Sequence, residues 1–183
     1  MRIIAGAWRG RRIEAPPGTA TRPTSDRARE GLFSMLASRI GSFEGLRIAD
    51  LFAGTGALGL EALSRGAAHC TFVEKDRAAL DALKRNIAML GAADRSDVRA
   101  QSVEHAPSPI QPFDILFLDP PYRSGLAQSA IARVADWVAD GGWISVELQK
   151  EDIAIPDALI VDADRRFGKA RIILLRRSMS DVE

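Results

Sequence analysis

Asp119-Pro120-Pro121-Tyr122 is the stretch of this chain whose residue types are best suited to chemistry. Two consecutive prolines remove N–H donors and fix the backbone, so their carbonyls point in set directions. A carboxylate beside a rigid carbonyl can hold both hydrogens of an exocyclic NH2 group, and Tyr122 offers a flat face on which a base can stack. The second such stretch is Asp50-Leu51-Phe52-Ala53-Gly54-Thr55-Gly56-Ala57-Leu58-Gly59. Gly54 and Gly56 permit a tight turn and close approach of a ligand. Gly54-x-Gly56-x-x-Gly59 matches the dinucleotide fingerprint, and the acid Glu74 follows about 20 residues later, as that fingerprint asks. On glycine spacing alone, a dinucleotide and S-adenosylmethionine (SAM) fit about equally. Asp50 separates them by charge. At the carboxyl end of the strand entering the turn, a carboxylate repels a pyrophosphate and attracts a sulfonium and an ammonium group. SAM is the expected cofactor.

These residues need a scaffold that brings two turns together. Ile48, Ala49, Leu51 and Phe52 read as a buried parallel strand, and helix formers run from Ala57 to Leu63. His69 to Val73 is a strand ending at Glu74. Asp76 to Leu90 is a helix with Ala79, Leu80, Leu83 and Ile87 on one face, ended by Gly91. Asp97 to Ser102 is a weaker strand, and Phe113 to Leu118 a strong one closing on Asp119. Ser124 to Val138 reads as a helix, Gly141-Gly142 as a turn and Trp143 to Leu148 as a strand. Ala158–Phe167 and Ala170–Arg177 read as an antiparallel pair at the sheet edge. Ahead of these, residues 2–14 read as two short strands turning near Trp8–Gly10. A helix follows, capped by Thr24 or Ser25, with Ala28, Leu32, Met35, Leu36 and Ile40 as its buried stripe. This alternation predicts an α/β fold: a Rossmann-like, mostly parallel, doubly wound seven-stranded sheet with an antiparallel edge strand and an N-terminal β-hairpin and helix extension. In such a sheet the turns after the first and fourth strands meet in one crevice.

One domain over residues 1–183 is expected, with 1–45 as an RNA-binding extension and 46–183 as the SAM-binding catalytic core. The single cysteine, Cys70, excludes a disulfide framework and fits a cytoplasmic protein. The N-terminus lacks the apolar run of a signal peptide, and no membrane partner is expected. His69 and His105 lack metal-ligand spacing, so no metal is expected. Trp137 and Trp143 read as packing residues, while Trp8 suits either hairpin packing or base contact. The net charge of +1 hides an asymmetry. Residues 1–29 carry seven arginines and two acids, and residues 165–177 carry six basic residues and no acid. These segments hold 13 of the 25 basic residues and leave an acidic body. If they meet in space they form one positive face for nucleic acid.

With these motifs in order, the chain resembles a known family. [Asp/Asn]-Pro-Pro-aromatic after the fourth strand is the signature of class I SAM-dependent methyltransferases acting on amino nitrogens. Arg2-Ile-Ile-Ala-Gly-x-Trp8-Arg-Gly-Arg, Arg22-Pro-Thr-x-Asp26-Arg-x-Arg-Glu30 and Asp50-Leu-Phe-Ala-Gly-Thr-Gly56 are similar to the bacterial 16S rRNA guanine-N2-methyltransferases of the RsmD type. The resemblance covers nearly the whole chain. It implies methyl transfer from SAM to the exocyclic N2 of a guanine in 16S rRNA, with free rRNA or a 30S assembly intermediate as partner. Asp119, Pro120 and Tyr122 become the catalytic candidates. Asp50, Phe52, Ala53, Gly54, Gly56, Glu74, Lys75, Ser102 and Asp119 become the cofactor contacts. Glu74 takes the ribose hydroxyls, and Ser102 stands where relatives usually carry Asp or Asn toward adenine. Arg9, Arg11, Arg12, Arg22 and Arg27 are the expected RNA contacts, and a monomer is expected. The rival readings are an N6-adenine DNA methyltransferase, which shares Asp-Pro-Pro-Tyr, and a non-catalytic SAM-binding ribosome-assembly factor. A protein-glutamine methyltransferase fits less well, since those generally carry Asn at the position of Asp119.

Overall fold

The computed structural model describes residues 1–17, 23–122 and 125–179. In chain order its elements are α1 (Pro23–Ile40), β1 (Arg47–Leu51), α2 (Ala57–Ser64), β2 (His69–Glu74), α3 (Arg77–Leu90), β3 (Ser96–Ala100), β4 (Phe113–Leu118), α4 (Leu126–Val134), β5 (Val138–Leu148), β6 (Leu159–Phe167) and β7 (Ala170–Arg177). The apolar runs of β1, β2 and β4 pair in parallel at the centre, as strands buried on both faces do. The seven-stranded order is β3-β2-β1-β4-β5-β7-β6. The antiparallel strand is β7, one place in from the margin, between β5 and β6.

Alternation along the strands sorts the core into two layers. Ile48, Phe72, Phe117, Trp143 and Leu174 face α1, α2 and α3. Ala49, Val73, Leu116, Leu118, Ile144 and Leu175 face α4 and the turns before and after it. Trp137 and Trp143 are buried packing residues, as expected. No helix among the described residues is long and apolar enough to cross a membrane.

Five features differ from the sequence reading. The first 14 residues pair as a short antiparallel hairpin with one bridge, between Arg2 and Arg12, and with Ile3 N–H donating to the Arg11 carbonyl, Gly10 N–H to that of Ile3 and Ile13 N–H to that of Met1. The pairing is no longer than that because the next N–H groups, those of Ile4 and Ala5, donate to the buried Glu61 carboxylate of α2 at 2.8 and 3.0 Å. Helix α1 starts at Pro23, ahead of the expected caps, because proline suits a first helical position that has no partner for its N–H. Strand β3 stops at Ala100, and Ser102 instead leads into a 3-10 turn over Val103–His105. Helix α4 is shorter than expected, and Gly141-Gly142 lies inside β5 as a bulge. The pairing jumps from Phe113–Val138 to Ile115–Trp143. A Cβ on Gly142 would lie 2.8 Å from the Asp114 carbonyl oxygen, so only glycine lets the bulge fold this tightly.

Candidate functional site

The strand order reverses between β1 and β4, so the turns leaving them open into the same crevice. That crevice is a cleft of about 1310 Å³. The turn after β1 lines it with Phe52, Gly54 and Thr55; the end of β2 with Glu74 and Lys75; and the segment after β3 with Gln101, Ser102, Val103 and Glu104. Asp119, Pro120, Pro121 and Tyr122 form the facing wall, and Gly168 to Ala170 of the β6–β7 hairpin close one side. A smaller cavity of about 200 Å³ shares Phe52, Gly54, Thr55, Asp119 and Glu147 with the cleft and extends toward α1, where Arg29 and Leu32 line it with Asp50.

The glycine turn is shaped by three separate demands. Gly54 has φ +55°, and a Cβ there would meet nothing within 4 Å, which is the open cradle a ligand needs. Gly56 has φ +83° and lines neither cavity; a Cβ there would meet Leu83 Cδ1 at 2.4 Å. Its absent side chain lets Leu83 of α3 pack close under the turn. Gly59 allows α2 to lie on β2, since a Cβ would sit 2.3 Å from the Phe72 ring and 2.6 Å from Cys70 Sγ. Phe52 carries φ +81°, an unfavourable left-handed conformation for a bulky residue. Its N–H and that of Ala53 both donate to the Val73 carbonyl, which holds the strained turn in place. Strain of this kind collects at ligand clamps.

Asp50 is 1% exposed and sits on the α2 side of β1. Its Oδ2 accepts the Gly59 N–H at 2.9 Å. Burial pushes its pKa up to about 7, against the lowering effect of the Gly59 bond, with the Glu74 charge adding to the rise. Asp50 lines the smaller cavity and not the large cleft. Glu74 lines the cleft, and its carboxylate already serves the protein. Oε2 accepts from Gly54 N, and Oε1 from Lys75 N and Asp76 N, each at 2.8 Å. Of roughly four lone-pair sites on a carboxylate, one is left for a further donor. Ser102 reaches the cleft, but its hydroxyl is 2.7 Å from His105 Nδ1. Gln101 and Glu104 flank it in the cleft wall.

On the facing wall Asp119 is exposed and Pro120 buried, the order expected for a carboxylate presented by a rigid support. The Tyr122 hydroxyl donates to Glu147 Oε1 at 2.6 Å, which fixes the plane of its ring against β5. Sequence reasoning missed Glu147. The signal was an acid at the end of an otherwise apolar strand next to β4. It also missed Asn86, a buried amide on the apolar stripe of α3. Asn86 Oδ1 accepts from Glu14 N, and Nδ2 donates to the carbonyls of Glu14 and Thr55. That amide ties the N-terminal arm directly to the glycine turn.

The basic residues divide. Ala7 N donates to the Ser64 carbonyl and Trp8 N to Ser64 Oγ, so the Gly6–Gly10 turn packs at the far end of α2. The Arg95 guanidinium lies 5.0 Å from the Trp8 ring centroid, so Trp8 is a packing residue. Arg11 donates to the Met89 carbonyl near the far end of α3. Arg9 and Arg11 are therefore exposed about the length of α2, roughly 12 Å, below the cleft. Arg12 is exposed beside its bridge to Arg2, and Arg22 lies outside the described residues. Arg27 is exposed on α1 one turn before Gly31, whose Cα packs against the Phe167 ring beside the Gly168-Lys169 turn. Lys169, exposed and lining the cleft, is a basic group that sequence reasoning counted but did not place.

The strand order, the glycine turn at β1 and Asp119–Tyr122 at β4 define a class I, Rossmann-like methyltransferase fold. The structure of yhhF from Escherichia coli superposes with a TM-score of 0.85 at 38% identity, covering 98% of this chain and 99% of that one. A family model described as Conserved hypothetical protein 95 matches residues 1–176. The chain is 44% identical over 154 residues to Ribosomal RNA small subunit methyltransferase D of Escherichia coli (strain K12), covering 83% of this chain and 76% of the relative. It is 33% identical over 186 residues to YlbH of Bacillus subtilis (strain 168), covering 97% and 99%. The chain belongs to this family, that of the RsmD-type rRNA methyltransferases.

Proposed function

We propose that this protein methylates the exocyclic N2 of a guanine in 16S rRNA, using SAM, on rRNA that is being assembled into the 30S subunit. The observation that carries the reading is the meeting of Asp119-Pro120-Pro121-Tyr122 with the Gly54 turn in one cleft. The cleft exceeds the roughly 300–1,000 Å³ that a single small ligand fills, so a cofactor and an extruded base fit together. The donor set suits SAM. Asp50, Asp119 and Glu147 give the smaller cavity three carboxyl groups, which match a sulfonium and an ammonium group and oppose a pyrophosphate. SAM supplies the electrophilic methyl when bound.

The protein's own residues then position the nucleophile. Guanine N2 is weak because its lone pair is delocalised into the ring. The Asp119 carboxylate and the Pro120 carbonyl accept the two N2 hydrogens, which favours a pyramidal nitrogen with its lone pair directed across the cleft. Positive charge developing on N2 is stabilised by Asp119, which is also placed to receive the proton that N2 sheds. Orientation of this kind supplies several kcal/mol of the barrier, up to roughly 7–11 in ideal cases. Tyr122 stacks the base, and Glu147 keeps its ring from turning. Stacking returns about 1–3 kcal/mol against the few that extrusion costs, so a loop-like target is favoured.

The test offers labelled SAM to naked rRNA, assembled 30S particles, DNA and protein, followed by nucleoside analysis. N2-methylguanosine in rRNA is the expected product, and N6-methyladenine in DNA would overturn the reading. Asp119→Ala is expected to weaken SAM binding only modestly, since Asp50, Glu74 and Glu147 remain, and to lose nearly all methyl transfer. Wild-type turnover in that variant removes Asp119 from the mechanism.

A further inference from the structure

Glu147 is the one charged residue in the apolar stretch Trp143–Leu148 that ends β5, and it is half-buried. Leu118 of β4 pairs in register with Val146 of β5, so Asp119 and Glu147, the next residue of each, leave the two parallel strands side by side. Neighbouring strands lie about 4.8 Å apart. Of the three acids that line the smaller cavity, Asp50 stays within it, while Asp119 and Glu147 also line the cleft. Two like charges this close repel. Holding the Tyr122 ring does not require the second one, because a glutamine carbonyl accepts a hydroxyl as well. The Tyr122 bond also shows where the carboxylate lies. The hydroxyl at the tip of the ring donates to Glu147 Oε1 at 2.6 Å, so the carboxylate sits at the rim of the ring and not over its face. A base stacked on that face turns an edge toward Glu147. A carboxylate accepts several donors at once, so the bond to Tyr122 alone does not exhaust it.

We propose that Glu147 accepts the N1–H of the target guanine and is the residue that selects guanine over adenine. The assignment rests on the N2-methylation reading. With the two N2 hydrogens on Asp119 and the Pro120 carbonyl, N1–H is the next donor along the same edge of the base, and Glu147 is the next acceptor along the ends of the strands. Adenine carries no amino group at C2 and presents a lone pair at N1. Turned toward a carboxylate, that lone pair is repelled and the acid is left without its donor. A site built to hydrogen-bond one group rejects the analogue that lacks it far more strongly than an apolar pocket rejects a change of size. Glu147 is thereby a specificity residue, and the chemistry at N2 stays with Asp119 and Pro120.

The experiment compares two matched rRNA substrates, free or reconstituted into 30S particles, with guanine or 2-aminopurine at the methylated position. 2-Aminopurine keeps the amino group at C2 but has a lone pair on N1 in place of the hydrogen. The wild-type protein is expected to favour guanine by about 10- to 100-fold in kcat/KM, the discrimination that a hydrogen-bonded base edge supplies. 2-Aminopurine also lacks O6, so the change of that ratio in Glu147→Gln isolates the N1 contact. An amide accepts from N1–H or donates to an N1 lone pair according to how it is turned. Glu147→Gln is therefore expected to lower kcat/KM on guanine, to raise it on 2-aminopurine above the wild-type value, and to bring the two within about threefold. Equal methylation of both substrates by the wild-type protein overturns the assignment without requiring any variant to fold. A Gln variant that loses activity on both in proportion also overturns it, by making Glu147 a support for Tyr122 or a cofactor contact. Wild-type protein that forms no N2-methylguanosine overturns the proposed function itself.

Discussion

Asp50 is where ligand charge and folding stability conflict. Its carboxyl is buried, and its pKa is raised from 3.8 to about 7. Below the unfolded value it is neutral in both states and has no effect on stability. Between that value and about 7 the unfolded chain ionises while the folded carboxyl keeps its proton, so its contribution to stability falls as pH rises and levels off above about 7. The native protein then carries a buried charge that costs on the order of a few kcal/mol. Asp50→Asn removes that charge and can still accept the Gly59 N–H. Its melting temperature is expected to exceed the wild-type value at about pH 8, where each 1 kcal/mol is worth roughly 2–4 °C, and to converge on it near about pH 4. The same variant is expected to bind SAM more weakly. In the wild-type protein, affinity for the cationic cofactor should fall as pH drops through about 7, because binding then has to displace a proton. An Asn variant that melts lower than wild type at alkaline pH refutes this account of Asp50. On the proposed function, the charge argument for SAM has a more specific source: Asp50 would act from a buried cavity that Asp119 and Glu147 also line, not from the open face of the turn.

Elements carry the site because α2 leaves the glycine turn in close contact with β2. Gly59 lies on Phe72 and Cys70, both fully buried. Gly59→Ala would place a Cβ inside packed atoms that cannot retreat, and overpacking of this kind costs about 1–3 kcal/mol. A lowered urea midpoint with an unchanged slope is expected. A midpoint within error of wild type shows instead that the helix shifts freely, and that the spacing Gly54-x-Gly56-x-x-Gly59 serves the ligand alone. The same packing shows which elements were legible in the sequence. β1, β2, α3 and β4 were readable to within a residue or so, because each buries a continuous or periodic apolar set. The N-terminal hairpin was legible only in outline, because the N–H groups of Ile4, Ala5 and Trp8 leave it for Glu61 and Ser64, which are more than 50 residues away in the chain. Gly141-Gly142 was misread because a bulge and a turn ask for the same residue. Of the residues that line the cleft, Asp119–Tyr122 were legible from their residue types and Gly54 from the glycine spacing. Arg29, Asn86 and Glu147 were hidden because a single polar residue on an apolar face has no periodic signature, and only tertiary packing shows what it meets.

At the scale of the whole molecule, the basic flanks of the sequence do not add up to one uniform positive face. Arg171 bridges to Asp152 and Asp164, and Arg177 to Asp136 and Asp140, so part of that charge is neutralised within the protein. Burial removes Arg29 from the surface. Arg9 and Arg11 ride on the hairpin turn at the far end of α2, while Arg27 and Lys169 flank the region where α1 meets the β6–β7 hairpin at the cleft. On the proposed function, a flipped guanine would bring its own phosphates to the cleft mouth, whereas the far turn would meet only RNA that continues down the side of the protein. Substituting Arg27 and Lys169 together with glutamine is therefore expected to lower kcat/KM on any guanine-containing substrate that is methylated, short fragments included. It should also reduce the salt slope of binding by about 0.7–0.9 for each phosphate that is no longer neutralised. Replacing Arg9 and Arg11 is expected to leave short substrates unaffected and to weaken only long rRNA or assembled particles. Turnover on a minimal hairpin and on intact 30S particles, each measured across a salt series, separates the two sets. If Arg9 and Arg11 matter equally on the minimal hairpin, the RNA path runs along α2 and not across the β6–β7 hairpin.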